Sequence, residues 1–435
     1  MVTVTVARCP DGTIVEPAPD RPRVEAPLAW SRHPAPFDTW TLAAAGTATR
    51  IPPGGLMIDP FAGTGAAGTF AVTRGDRFWG LDAHPLMAEI AALKFKRPGP
   101  PDQLVEAARA LVEHARGVTH DPTREHELIL RSIGAESAAV LGALRDGASA
   151  LGGEWVGHLR WATAGVLRDL AGPGWPVPRP RARGGAPRSP TVLLLRRVDQ
   201  MAADLLLAPR RPRATVTCGD ARHADDWADV PPGTADGCFT SPPYVNQVHW
   251  AESCRLEAFF LGAAGTWSEL LELSSRRLVA SSTQQATSQR AADARLVLRS
   301  LPPLEAAAAP LILRLERART ERPRGKAYDR LLPCYLVDMT AVLSNVFVAL
   351  RPGARAALLV GDSAPYGVLV DTPSLLAIAA RMLGFILVED RYVRPRGRRW
   401  PGVGARHSKP LCERLIVLER PRLGVQTPLP GLEAG

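Results

Sequence analysis

The stretch "IDPFAGTGAAG", residues Ile58–Gly68, carries glycines at the spacing G-x-G-x-x-G, namely Gly63, Gly65 and Gly68. The apolar run before it predicts a short buried strand that ends at Asp59, and the residues after it predict a helix. A strand that leads through a glycine turn into a helix N-terminus directs backbone N–H groups toward a bound ligand. The spacing therefore predicts a site for an adenosine-bearing cofactor, and by itself it leaves open which one.

Two acidic residues narrow the choice of cofactor. The segment "DRFWGLDAH" predicts a second strand that closes at Asp82, whose carboxylate can bind the two ribose hydroxyls of either NAD or S-adenosylmethionine. Asp59 lies beside the glycine loop, where it would repel a pyrophosphate but would suit the ammonium group of a methionine moiety. The loop is not followed by G-K-[ST], which argues against a P-loop ATPase. The pattern favours S-adenosylmethionine over a nicotinamide cofactor.

A second motif, "FTSPPYVNQ", follows the apolar strand "ADGCF" about 175 residues further along the chain. The two prolines lock a rigid turn that has no N–H groups of its own and leaves carbonyls free to accept hydrogen bonds. Ser241 and the Pro242 carbonyl can accept the two hydrogens of an exocyclic amino group, while Tyr244 stacks on the base. Positioning and electrostatics would then carry the catalysis without a metal. Considered without the glycine loop, the Ser-Pro-Pro-Tyr sequence has an alternative interpretation as a surface turn that binds no ligand.

Together these motifs resemble those of the DNA amino-methyltransferases of the N4-cytosine/N6-adenine class. The pattern D-P-F-x-G-x-G of that family matches Asp59–Gly65, and its [DNS]-P-P-[YFW] matches Ser241–Tyr244 in the serine form common among N4-cytosine enzymes. The resemblance covers roughly 30–96, 214–262 and 332–420. It implies a Rossmann-like, S-adenosylmethionine-dependent methyltransferase fold of class α/β, with a mostly parallel sheet, an antiparallel terminal strand and helical insertions.

The same resemblance implies a set of site residues. The catalytic residues are expected to be Ser241, Pro242, Pro243 and Tyr244. The residues expected to hold the cofactor are Phe37, Asp59, Pro60, Phe61, Gly63, Gly65, Asp82 and Asp220, the last of these through the adenine amino group. Because the histidines lack H-E-x-x-H or similar ligand spacing, no metal site is expected.

Periodicity divides the chain into four parts. Residues 1–96 are expected to form the first part of the methyltransferase domain with the cofactor loop, and 97–212 a helical insertion that serves target recognition or docking. Residues 213–420 would complete the domain, with a second helical stretch near 245–330, and 421–435 form a tail. In the family the inserted region follows the third-strand motif, here "CGDAR", whereas in this chain it precedes it. Whether 97–212 contacts DNA is therefore left open.

Composition bears on partners and location. The formal net charge is +10, which favours a polyanionic partner, although only four of the 53 basic residues are lysines and the arginine bias is also explained by genome composition. "RPRARGGAPR" (179–188) and the loop at 391–409, with Arg396 and Trp400, are candidate phosphate contacts, or else solvated loops. Six cysteines without a C-x-x-C pair, and an N-terminus unlike a signal peptide, predict a cytoplasmic protein without membrane contact.

The sequence thus predicts a site-specific DNA methyltransferase that flips its target base and methylates an exocyclic amino nitrogen, with N4 of cytosine favoured. Alternatives that keep the cofactor are an N6-adenine DNA or an N2-guanine RNA methyltransferase. More distant ones are a nicotinamide oxidoreductase and a non-catalytic DNA-binding relative. No nuclease motif is evident, so a restriction or defence partner would be a separate subunit.

Overall fold

The computed structural model describes residues 7–8, 14–15, 30, 39–171, 188–209, 213–246, 253–275, 278–322, 324–396 and 410–422. Within them the chain forms one seven-stranded sheet and, near the N-terminus, a two-residue ladder between Ala7–Arg8 and Ile14–Val15. The strands of the sheet are β1 (Leu56–Asp59), β2 (Arg77–Asp82), β3 (Ala214–Cys218), β4 (Ala235–Thr240), β5 (Leu350–Gly361), β6 (Ile386–Arg396) and β7 (Leu411–Glu419).

The spatial order of the strands is β3-β2-β1-β4-β5-β7-β6. Strands β3 to β5 in that order are parallel to one another, and β7 runs antiparallel to both of its neighbours. This is the mostly parallel sheet with an antiparallel final strand that the methyltransferase resemblance implies. The predicted fold class is confirmed.

Helices surround the sheet and fill the two long stretches between its strands. Their bounds are α1 Thr39–Thr49, α2 Ala66–Thr73, α3 Pro85–Phe95, α4 Pro101–Arg116, α5 Glu127–Ile133, α6 Ala135–Leu151, α7 Val156–Leu170, α8 Pro190–Leu207, α9 Arg255–Phe260, α10 Trp267–Ser275, α11 Ser288–Arg299, α12 Pro302–Thr320, α13 Tyr328–Ala349 and α14 Thr372–Met382. Single 3₁₀ turns lie at Pro122–Arg124, Ala224–Trp227, Thr283–Gln285 and Pro365–Gly367.

Alternation along β1 distributes its side chains between two cores. Met57 is fully buried against α1 and α2 on one face of the sheet, and Ile58 is fully buried on the other face, in the core that contains α13 and α14. Successive side chains of a strand point to opposite faces, so a central parallel strand reads as a continuous apolar run. This is why the short run "LMI" before Asp59 forms a strand that is covered on both sides.

Helices α4 to α8 have a separate core, and it extends beyond the 97–212 stretch. It joins buried residues of α3, such as Ile90, to buried residues of α9, such as Leu256 and Phe260. Arg168 of α7 forms a bidentate ion pair with Glu257 of α9, with an Nε–Oε1 distance of 2.7 Å. The segment after the Ser-Pro-Pro-Tyr turn is therefore packed against helices α4 to α8, which we name the first helical block.

By length and composition, helix α13 is long and apolar enough to cross a membrane, with 22 residues and a mean hydropathy of 1.6. Its residues Leu331, Tyr335 and Met339 are fully buried in the core beside the sheet. The apolar character of α13 is thus used in packing, as in the core helices of many α/β proteins.

We expect Gly68→Ala to destabilise the protein. A Cβ at Gly68 would lie 2.6 Å from ring atoms of Phe78 and of Phe95, both buried, so the rings would have to move. Overpacking of this kind costs about 1–3 kcal/mol, which exceeds the gain of up to about 1 kcal/mol from replacing a helical glycine. Chemical denaturation measures the difference. Gly117→Ala is the control because its nearest neighbour is 3.6 Å away, and equal stability of both variants would contradict the packing argument.

Candidate active site

The carboxyl end of β1 meets the carboxyl end of β4 through one side-chain contact. The Thr240 hydroxyl donates a hydrogen bond of 2.6 Å to Oδ1 of Asp59, which also accepts the Phe61 backbone N–H at 3.0 Å. Strand β1 pairs with β2 on one side and with β4 on the other, so the direction of the strand order reverses here. Ligands of open α/β sheets bind at such a reversal. The cofactor loop and the Ser-Pro-Pro-Tyr turn are thereby brought together.

The glycine loop is held from the next strand. Asp82, at the end of β2, accepts the Gly63 N–H at 2.8 Å on one carboxylate oxygen and the His84 N–H at 2.9 Å on the other. Gly63 and Gly65 have φ values of 54° and 84°, a region that favours glycine. Helix α2 begins directly after Gly65, so its first N–H groups point toward the loop.

Both acids are buried and both have raised pKa values. Burial raises the pKa of Asp59 to about 7, although the hydrogen bonds from Thr240 and Phe61 oppose the shift, and the nearby charge of Asp82 adds to it. Burial likewise raises the pKa of Asp82 to about 6, against the hydrogen bonds from His84 and Gly63. A buried carboxylate is stabilised by a cation. The pair therefore favours a positively charged ligand beside the loop.

Lys94 of α3 contacts the glycine loop from the protein interior. Its ammonium group is buried and donates a hydrogen bond of 2.5 Å to the Thr64 carbonyl, between the two loop glycines. Burial lowers its pKa to about 7, and the charge of Asp204 opposes the shift. Nothing in the sequence pattern of α3 distinguishes this lysine from a solvated one. It is a site residue that the motif analysis missed.

The Ser-Pro-Pro-Tyr turn leaves β4 at Thr240. Ser241 is half-buried, and its Oγ lies 3.4 Å from the Tyr244 hydroxyl. Pro242 is buried and Pro243 half-buried, so the turn is backed by protein along its length. The predicted catalytic residues thus form one compact turn at the edge of the cofactor loop.

Tyr244 is almost fully buried, with 5% of its surface exposed. The guanidinium of Arg396 lies over its ring, 4.7 Å from the centroid, and also donates a hydrogen bond to the Asp362 carbonyl. Gly361, at the end of β5, touches the ring edge, where a Cβ would come within 2.8 Å. A base that stacks on the face of Tyr244 occupied by Arg396 would have to displace this arginine.

Asp220 has a partner of its own. Its carboxylate forms a bidentate ion pair with Arg222, with Nη2–Oδ2 at 2.5 Å and Nε–Oδ1 at 2.9 Å. Arg222 also bonds Asp338 of α13 at 3.1 Å, and Asp338 in turn pairs with Arg290 of α11 at 2.6 Å. The ion pairs raise the pKa of Arg222 above its usual range, against desolvation. The carboxylate predicted to bind adenine is therefore engaged by protein.

The remaining predicted residues divide between described and undescribed parts of the chain. Pro60 is buried and Phe61 half-buried in the loop. Phe37 lies outside the described residues, as do almost all of 179–188 and residues 397–409. Arg396 was predicted to belong to a loop, and that prediction was wrong, because the strand pairing of β6 with β7 continues to Arg396.

Besides Lys94, three residues of the site escaped the sequence interpretation. They are Thr240, Arg222 and Arg396, of which the last was named from the sequence but not as a residue that covers Tyr244. Thr240 and Arg222 are adjacent to predicted motif residues, so their positions offered a signal. The contact of Arg396 joins residues 152 positions apart and left no local pattern.

Comparison with known proteins finds likenesses among solved structures. No protein-family model matches it, and no curated protein does. TrmN from Thermus thermophilus is 13% identical with a TM-score of 0.31, over 90% of this chain and 52% of that one, so this chain spans about half of its length. A candidate DNA modification methylase, also from Thermus thermophilus, is 22% identical with a TM-score of 0.17, over 21% and 38%. The [4+2]-cyclase SpnF is 10% identical with a TM-score of 0.33, over 90% and 86%.

The fold assignment therefore rests on the strand order and the loop geometry. The order β3-β2-β1-β4-β5-β7-β6, with β7 antiparallel and a glycine loop after β1, is the Rossmann-like arrangement that the resemblance of the motifs to methyltransferases implies.

We expect Asp59→Asn to stabilise the unliganded protein at pH 8. The folded-state pKa of Asp59 is raised to about 7, so the ionised form disfavours folding above that pH, and this penalty disappears as the pH falls toward 4. Removing the charge should raise the free energy of unfolding at pH 8 by about 1–3 kcal/mol and have no such effect near pH 4.

Thermal unfolding at several pH values tests this expectation. Asp199→Asn, on the exposed side of α8, removes a charge without removing a buried one and is the matched control. Destabilisation of Asp59→Asn by the same amount at every pH would contradict the argument and assign the larger effect to the hydrogen bonds.

Proposed function

We propose that this protein is an S-adenosylmethionine-dependent DNA methyltransferase that acts on an exocyclic amino nitrogen, with N4 of cytosine as the favoured target. The observation that carries the proposal is the 2.6 Å hydrogen bond between Thr240 and Asp59. It brings the turn suited to an amino group on a planar base against the loop suited to an adenosine-bearing cofactor. A nicotinamide enzyme leaves both this turn and the buried Asp59 without a role.

The residues around the loop fit the proposed cofactor. Asp59 would compensate the ammonium group of the methionine moiety, and Asp82 would accept ribose hydroxyls with the lone pairs that its two backbone contacts leave free. Because Asp220 is committed to Arg222, its contribution to adenine would be limited to an additional lone pair. When bound, the cofactor supplies a methyl group on a sulfonium centre.

The turn supplies the acceptors for the amino group. Its nitrogen lone pair is conjugated into the ring, and two hydrogen bonds, to Ser241 Oγ and the Pro242 carbonyl, would favour the tetrahedral geometry that makes it nucleophilic. The nitrogen gains the methyl group and loses one proton to solvent. The chain's contribution is orientation and a fixed set of dipoles, which requires no rearrangement at the moment of transfer.

Because Tyr244 is buried, we infer two states of the site: one in which Arg396 covers the tyrosine ring and one in which the target base covers it. Arg396 covers the tyrosine ring, and the target base would replace the guanidinium when it is flipped into the pocket. Flipping already requires a few kcal/mol to unstack and unpair the base. Displacing Arg396 would add to this and would select for bases that stack well.

The serine of the turn favours cytosine, and N6 of adenine in DNA is the alternative that shares every contact named here. N2 of guanine in RNA is a further alternative. The five described cysteines are free thiols, which supports a reducing compartment and hence the cytoplasm. A restriction or defence partner, if there is one, would be a separate chain.

Methyl transfer from labelled S-adenosylmethionine to unmethylated genomic DNA tests the proposal directly. Nucleoside mass spectrometry should detect N4-methylcytosine, and Ser241→Ala should lower the rate about 100-fold because one of two orienting contacts is lost. Ser300→Ala, at an exposed position, should leave the rate unchanged.

The possible products separate the alternatives. N6-methyladenine would keep the mechanism and change the base, and methylated guanine in RNA alone would overturn DNA as the substrate. No binding of the cofactor by calorimetry would overturn the proposal as a whole.

We expect Arg396→Gln to strengthen binding of a duplex whose target base is mispaired. The cation–π contact between Arg396 and Tyr244 is worth about 0.5–1 kcal/mol. Because a flipped base would no longer have to displace the guanidinium, the affinity for the mispaired duplex should rise about 2- to 5-fold relative to the affinity for a fully paired duplex. Arg381→Gln removes the same charge from an exposed position of α14 and is the control. If Arg396→Gln weakened binding of both duplexes equally, the arginine would be a phosphate contact instead.

A further inference from the structure

The end of α12 and the segment after it carry a concentration of positive charge. Residues 314–326 contain six basic and two acidic side chains, a net charge of +4. Five of the basic side chains are exposed and together form what we name the α12 basic surface: Arg314, Arg317, Arg322, Arg324 and Lys326. The sequence interpretation had assigned this stretch only to a helical insertion.

Within the described residues these five cations lack the carboxylate partners that neighbouring arginines have, although Arg322 donates a hydrogen bond of 2.5 Å to the Ala318 carbonyl. Arg319 pairs with the buried Asp329 at 3.0 Å, but among the described residues no salt bridge involves a member of the α12 basic surface. The first helical block differs, since many of its arginines are engaged in ion pairs: Arg116 with Glu113, Arg131 with Glu127, Arg145 with Glu125, Arg168 with Glu257 and Arg197 with Asp169.

Contacts with Tyr366 fix the surface in position. The Arg322 guanidinium lies 4.6 Å from the centre of the Tyr366 ring, and Tyr366 Oη donates a hydrogen bond of 3.1 Å to the Lys326 carbonyl. Tyr328, at the start of α13, packs edge-on against the same ring at 5.0 Å. The charged segment is therefore attached to a defined point of the fold.

That point lies on the catalytic edge of the sheet. Tyr366 follows the end of β5 by five residues, and five extended residues span at most about 18 Å. Gly361, the last residue of β5, touches the ring of Tyr244 in the catalytic turn. Strand β5 is parallel to its neighbour β4, so both loops leave the sheet at the same edge. The α12 basic surface is thus within reach of a duplex whose target base lies in the turn.

We infer that the α12 basic surface binds the phosphate backbone of the DNA duplex beside the flipped base. The inference rests on the proposed function and deepens it, since it assigns the DNA contact to the second helical stretch rather than to 97–212. Arginine and lysine contacts to phosphates position a duplex and release counterions, and they do so for any sequence. Tyr366 serves as a positioning residue that orients Arg322.

The test measures binding of an unmethylated duplex between 50 and 200 mM salt. In Arg322→Gln/Arg324→Gln, the slope of log K against log salt should fall by about 2, and affinity at 0.1 M salt by about 10- to 100-fold. Arg314→Gln/Arg317→Gln should have a similar effect and leaves the Tyr366 contacts intact. Arg109→Gln/Arg196→Gln removes the same charge from exposed positions of α4 and α8 and should leave the slope unchanged.

The outcomes separate this inference from the function on which it rests. Wild-type protein that binds S-adenosylmethionine but neither binds nor methylates DNA would contradict the proposed function. Wild-type methylation with unchanged slopes in both α12 double variants would overturn the inference alone, and a reduced slope in Arg109→Gln/Arg196→Gln would transfer the DNA contact to the first helical block. Unchanged cofactor affinity in every variant confirms that each is folded.

Discussion

The hydrogen bond between Thr240 and Asp59 is the contact on which the site depends. It joins residues 181 positions apart, and it exists because β1 and β4 are neighbours at the reversal of the strand order. The carboxyl ends of the two strands are thereby side by side, and the helices inserted between them in sequence must be accommodated outside the sheet. A threonine before the Ser-Pro-Pro-Tyr turn and an aspartate before the glycine loop are then sufficient to connect the two motifs.

Burial of the two carboxylates has an energetic consequence, which the hydrogen bond from Thr240 opposes at Asp59. Among the described residues, neither Asp59 nor Asp82 has a salt-bridge partner, and burial raises the pKa of each. The buried ammonium group of Lys94 donates its hydrogen bond to the Thr64 carbonyl of the loop instead. The two buried carboxylates thus carry unfavourable negative charge, which a cationic ligand would relieve. Sites that bind charged ligands commonly sacrifice some stability in this way.

The sequence predicted the features that depend on a short local motif. It did not predict contacts between residues that are far apart in the chain. The strand before Asp59, the glycines with positive φ and the position of Asp82 follow from short patterns whose geometry is dictated by neighbours in the chain. The strand order also follows, since the motifs imply the fold. The engagement of Asp220 by Arg222 was less accessible, because a motif match does not reveal competition for a carboxylate. The covering of Tyr244 by Arg396 depends on where β6 ends relative to β5, with β7 between them, which is a property of the assembled sheet.

The packing of the helices offers a physical explanation for the motif order, in which the helical insertion at 97–212 precedes the third-strand motif. The first helical block shares its core with α3, which supports the glycine loop, and with α9, which follows the catalytic turn. The ion pair of Arg168 with Glu257 strengthens this second connection, and both partners are largely buried. In this region the less exposed arginines, such as Arg145, Arg168 and Arg197, are committed to internal ion pairs. The exposed charge of α12 is attached near the edge where β4 and β5 end, so it is the better placed of the two for a polyanion. Under the proposed function, the early insertion would support the site and the late one would hold the substrate.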